Sequence, residues 1–127
     1  MPTYALSPLF EPQYVSHGAT NPLVFATPGA PTAVPSGYSY LINVLRVTNT
    51  DSGPVSLSVY RVPSGGAVGN ATLVCPPINI PVATQSLPAL DLTMLWGAVL
   101  QPGDSICMVA GAANKLVVQG DGAVITT

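Results

Sequence analysis

Residues 55–62, VSLSVYRV, alternate in hydrophobicity: Val55, Leu57 and Val59 fall on one side, Ser56, Ser58 and Tyr60 on the other. That is the pattern of a strand with one face on a core and one in water. Residues 38–49, YSYLINVLRVTN, break the rule. Tyr40, Ile42 and Val44 lie on one face of an extended chain, and Leu41, Leu45 and Val47 on the other. Both faces of this strand need cover. A neighbouring subunit can supply it, and so can the chain's own proline-rich N-terminal segment if 38–49 is a central strand. The two runs are read as a hairpin turning at Asp51-Ser52-Gly53-Pro54, with Gly53 supplying the positive φ of the turn.

Further strand-like runs follow: ATLVC (71–75) and INIPV (78–82), parted by Pro76-Pro77, then LDLTMLW (90–96), Val99-Leu100, SICMVAG (105–111), KLVVQG (115–120) and AVITT (123–127). They recur every 8 to 15 residues with Gly, Pro or Asn between them, the rhythm of an all-β sandwich or barrel. Only LPALDLTMLWGAVL competes as a helix, with Pro88 at its first turn. The alternation of Leu90, Leu92, Met94 and Trp96 against Asp91 and Thr93 favours a strand. In LQPGDSICMVAG, Pro102-Gly103 makes a corner at which Asp104 is read as a backbone-bonding turn residue.

Residues 1–36 are broken by Pro2, Pro8, Pro12, Pro22, Pro28, Pro31 and Pro35. Extended pieces are expected at 3–6, 13–16 and 22–27. Two readings fit: an arm laid on a neighbouring subunit, or a proline-punctuated edge of the sheet. The organisation expected is an extended N-terminal segment, 1–36, and one β-sandwich domain, 37–127.

Charge narrows the function. Of 127 residues, only 6% are charged, with three basic and five acidic side chains and a net charge of −2. An ordinary globular domain carries about 25%. Arg46, Arg61 and Lys115 cannot form the basic patch that nucleic acid or an anionic membrane surface requires. The hydrophobic fraction is 48%, yet no run approaches the ~20 apolar residues of a spanning helix. MPTYALSPLF lacks the basic and apolar regions of an export signal. A surface so poor in charge resists association weakly, which suits a protein packed against copies of itself or a partner.

Candidate chemistry is thin. His17, the one histidine, sits in VSHGAT with no nucleophile elbow anywhere in the chain, so a loop residue is expected rather than a catalytic one. Glu11 is the one glutamate, and Asp51 (in DSG) and Asp121 (in GDG) read as turn residues, which leaves no opposed carboxylate pair. Cys75 and Cys107 lie in apolar runs and are read as two buried thiols rather than a disulfide. No zinc spacing and no phosphate loop is present, so no metal or cofactor is expected. Asn70-Ala71-Thr72 matches a glycosylation sequon, read as chance in a chain with no export signal. Trp96 and the tyrosines at 4, 14, 38, 40 and 60 are read as core or interface anchors; a sugar-stacking platform, with Tyr38 and Tyr60 exposed, is the alternative.

The order of elements resembles the small β-sandwich structural proteins of tailed bacteriophages. The stretches that carry the resemblance are INVLRVTNTDSGPVSLSVYRVP, then the apolar INIPV, then LQPGDSICMVAG, then KLVVQGDGAVIT. They span about residues 38 to 127; the N-terminal segment has no counterpart. The resemblance implies a non-enzymatic virion protein with a jelly-roll-like antiparallel sandwich. It implies a capsid cement (decoration) protein or a small tail, baseplate or fibre component. Cement proteins of this type group as trimers at local three-fold axes and bind the major capsid protein on the outside of the head. That would place the chain on the capsid surface after synthesis in the host cytoplasm. The interface residues expected are Tyr4, Leu6, Leu9, Phe10 and Tyr14 of the N-terminal segment, Arg46, Arg61 and the loop 63–70. A carbohydrate- or receptor-binding module is the rival.

Overall fold

The computed structural model describes residues 3–26 and 29–126, apart from the side chain of Cys75. The strands are β1 (Thr3–Tyr14), β2 (Asn21–Pro22), β3 (Tyr38–Asn49), β4 (Val55–Val62), β5 (Leu73–Ile80), β6 (Leu90–Asp91), β7 (Val99–Leu100), β8 (Ser105–Ala110) and β9 (Leu116–Thr126). Two sheets result: β1-β9-β3-β6, with β7 also on β3, and β2-β8-β4-β5. Every strand pair is antiparallel. β6 and β7 pair with opposite ends of β3, at Arg46-Val47 and Tyr40-Leu41, so they act as two pieces of one edge strand. Taken so, the chain changes sheet at each step except from β4 to β5. This is the connectivity of an eight-stranded jelly roll, and the expected all-β sandwich is what the chain forms.

The segment around Asp51 is therefore not a hairpin. β3 pairs with β9, β6 and β7, and β4 with β5 and β8, so the turn carries the chain from one sheet to the other. Gly53 lacks the positive φ that a tight hairpin requires, in keeping with the extended conformation favoured before Pro54. Buried Asn49 holds the crossing. Its Nδ2 donates to the carbonyls of Gly53 (3.0 Å) and Ile80 (2.8 Å), and its Oδ1 accepts from the Asp51 N–H (2.8 Å).

The two apolar faces of 38–49 have a local cause. The β3–β9 register passes from Ile42↔Gly122 to Val44↔Asp121, leaving Asn43 as an extra residue. Such a bulge reverses the facing of everything beyond it. Tyr40 and Ile42 before it, and Leu45, Val47 and Asn49 after it, are all buried. Val44 thus moves to the outer face, opposite to the strict alternation, and joins Leu41 there.

β1 bulges at the same level, between Pro8↔Asp121 and Phe10↔Gly120, and again before Gln13↔Val118. The first bulge turns both Leu9 and Phe10 into the core. The close approach on both sides requires glycine at Gly120 and Gly122. A Cβ on Gly122 would overlap the Leu41 carbonyl oxygen, and one on Gly120 would lie 2.7 Å from that of Val44. Gly120-Asp121-Gly122 is thus mid-strand, not a turn; 115–127 holds one strand through 116–126 instead of two.

Proline positions explain other departures. β5 runs unbroken through Pro76-Pro77 because it is an edge strand, where missing N–H groups face outward; its register with β4 shifts between Leu57 and Val59. β1 is likewise a continuous edge strand rather than separate pieces, with Pro8 and Pro12 at its register shifts. Of the two readings of the N-terminal segment, its described residues adopt the sheet edge, with Val15, Leu23, Phe25 and Val34 also in the core. LDLTMLW keeps only two strand residues before a 3-10 turn at Thr93–Leu95, which buries Leu92 and Leu95. Gln101-Pro102-Gly103-Asp104 is a type II turn, with Gly103 at φ 88° and the Asp104 N–H on the Gln101 carbonyl (3.0 Å).

Candidate interaction surface

The expected interface residues divide. Tyr4, Leu6 and Tyr14 are exposed, and so is the loop 63–70. Leu9 and Phe10 are core residues. Phe10 stacks on Phe25 (centroids 4.9 Å apart), and Phe25 meets Tyr40 edge-on (4.9 Å). Arg46 donates from Nε to Asp91 Oδ1 at 2.8 Å, a pair left about half exposed. Arg61 donates to the Val99 carbonyl (2.6 Å), tying the second sheet to the edge of the first.

The other candidates do not converge. His17 is exposed, and its Nδ1–H donates to the Ala110 carbonyl (3.0 Å). Asp104 is buried and serves the backbone, as its turn position predicts: Oδ2 accepts from the Gln101 N–H (2.9 Å) and Oδ1 from the Ser64 N–H (3.1 Å). Among the described residues no three His, Cys, Asp or Glu side chains gather as a metal site would require. Cys107 is a buried free thiol; the Cys75 thiol lies outside the described residues. Tyr38 shares the inner face of β3 with Tyr40, whereas Tyr60 alternates with buried Val59 onto the outer face of the second sheet. They cannot form one platform. The Thr72 hydroxyl of the sequon accepts from the Gly69 N–H (3.1 Å) within an exposed 3-10 turn.

What the fold does assemble is the outer face of the first sheet. Paired residues of adjacent strands share a face, so the registers give its rows directly. One row runs Leu6–Ala123–Leu41–Val99 across four strands. Beside it lies Tyr4–Ile125–Ser39. Leu6 is 75% exposed, Tyr4 59% and Val99 39%, whereas Ala123 is fully covered among its neighbours. Past the bulges the character changes. Pro8, Asp121 and Val44 form the next row, then Gln119, Arg46 and Asp91.

Between these two rows a cleft of about 280 Å³ opens, with Glu11, Gln119 and Asp121 among its polar lining and Pro8, Pro12 and Val44 among its apolar lining. The face is thus apolar at one end and charged at the other. Of its apolar members, half-buried Leu41 carried a signal in the sequence as part of a second apolar face. Exposed Val99 and half-buried Ile125 carried none, because their facing depends on partner strands. Comparison with protein-family models, with curated proteins and with solved structures gave no match for this chain.

Proposed function

We propose that the chain is a non-enzymatic virion structural protein, a capsid cement protein that binds the outer surface of a phage head and ties neighbouring capsid subunits together. The observation that carries this reading is the apolar row Leu6–Ala123–Leu41–Val99, flanked by Tyr4, on the outer face of the first sheet. In a chain with 6% charged residues, little else on the surface opposes association. The jelly-roll connectivity and the resemblance of residues 38–127 to small phage β-sandwich proteins point the same way. Docking through this face to the major capsid protein works by burial of apolar area. Many copies on one shell make individually weak contacts cumulative.

The test is location. Particles purified from the source are imaged by cryo-EM, with immuno-gold labelling of this chain. Copies over the head shell, lost when Val99→Asp is introduced, are the expected result. Absence from particles refutes the reading. Copies confined to the tail favour the second reading, a tail, fibre or receptor-binding component. The cleft favours that one, because Glu11, Gln119 and Asp121 in a concave site are the side-chain types that bind sugar hydroxyls.

A further inference from the structure

A sheet edge presents unpaired N–H and C=O groups, and proteins blunt such edges with short strands, prolines or charges. The edges here are treated unequally. β2, β6 and β7 are two residues each. β5 carries Pro76 and Pro77 at its middle. β1 carries Pro8 at its middle and Pro12 beyond it. Its first part, Thr3-Tyr4-Ala5-Leu6-Ser7, has neither proline nor charge, and it keeps an unshifted register with β9 from Thr3↔Thr126 to Pro8↔Asp121. This unguarded stretch also holds Leu6 and Tyr4, the two side chains most exposed in the apolar rows.

We propose that residues 3–7 are a strand-addition edge whose occupant is the same segment of a second copy of this chain, antiparallel, with a two-fold axis at Ala5. The segment is self-complementary about that residue. Tyr4 of each copy meets Leu6 of the other on the outer face, giving two aromatic–aliphatic cross-strand pairs. Thr3 meets Ser7 on the inner face, and small Ala5 sits on the axis. No like charges face one another, and the contact closes on itself as an isologous interface must. The pairing joins the two outer faces, so the row Val99–Leu41–Ala123–Leu6 of one copy continues into Tyr4 and Ile125 of the next. A five-residue ladder is smaller than a standard interface, and the dimer should be half-populated between about 10 µM and 1 mM. Nothing in this inference rests on the proposed function, and a two-fold pair differs from the three-fold grouping that the phage resemblance implies.

The full-length chain is examined by sedimentation equilibrium up to about 1 mM, together with three variants. Residues directly opposite in an antiparallel pair have Cα atoms about 4.5–5.5 Å apart, within disulfide reach. Ala5→Cys should therefore form a covalent dimer under mild oxidation, and Thr3→Cys, offset from its own copy, should do so far more slowly. Leu6→Lys should weaken the dimer at least tenfold with an unchanged melting temperature, because Leu6 is exposed. A monomer throughout the range, a trimer, or equal cross-linking of the two cysteine variants overturns the proposal.

Discussion

Gly122→Ala puts the double bulge to the hardest test. The added Cβ would overlap the Leu41 carbonyl oxygen and lie 2.7 Å from Leu9 Cδ1. The first neighbour is backbone of a central strand, so no rotamer change relieves it; β3 must draw away from β9. Overpacking of this kind costs about 1–3 kcal/mol. Stretching the ladder bonds beside it adds about 1 kcal/mol for each one lost. A total near 4 kcal/mol is a large share of the 5–15 kcal/mol typical of a domain. For a chain of this length each kcal/mol moves the melting temperature by about 4 °C, so a fall of about 16 °C is expected. Thermal unfolding followed by circular dichroism measures it. Gly53→Ala is the control, since a Cβ there meets nothing within 4 Å and the backbone needs no positive φ; its melting temperature should stay within about 2 °C. If Gly122→Ala also stays within that margin, the strands do not approach as described, and the bulge account of the opening pattern fails with it.

Other expectations concern single side chains. Asp104→Ala strands the N–H groups of Gln101 and Ser64 and should cost about 2–4 kcal/mol in urea unfolding, with Asp104→Asn losing roughly half as much because one acceptor remains; equal losses would show that only one bond matters. Burial, and then the neighbouring Tyr38 phenol, raise the Tyr40 phenol above its usual 10.0. The unfolded chain therefore ionises first: the stability contributed by Tyr40 is complete below pH 10 and drains away as pH climbs towards the raised value. An ultraviolet titration should show one tyrosine ionising late, and its loss in Tyr40→Phe identifies it; a late phase that survives that substitution refutes the assignment.

Strand-forming segments, the sandwich class and the role of Asp104 were legible in the sequence because each is set by neighbours along the chain. Proline was harder to read. Pro76-Pro77 and Pro8 look like breaks, but their effect depends on whether the strand lies at an edge, which is a property of the sheet. Gly-Asp-Gly at 120–122 looks like a turn for a similar reason. Glycine marks both a bend and a close approach, and only the flanking carbonyls of Leu41 and Val44 distinguish them. The apparent second face of 38–49 misled most: a single extra residue, Asn43, returns Leu45 and Val47 to the core, and no local pattern announces it. Leu9 and Phe10 were expected at an interface and are core residues by the same mechanism, acting in β1. Of the candidate interaction surface, Tyr4 and Leu6 were legible as exposed apolar residues of the first segment, but the rows they belong to exist only once the strands are in register.

That row has a consequence for how the protein is made. β9 lies between β1 and β3, and Thr3 is matched to Thr126. During synthesis β1 finds its described partner only when residues 116–126 have emerged, and until then β3 has only the two-residue strands β6 and β7 beside it. The apolar row and the core are therefore completed in one late event. A chain cut short before β9 lacks the strand that joins β1 to β3, so it can complete neither the row nor the core.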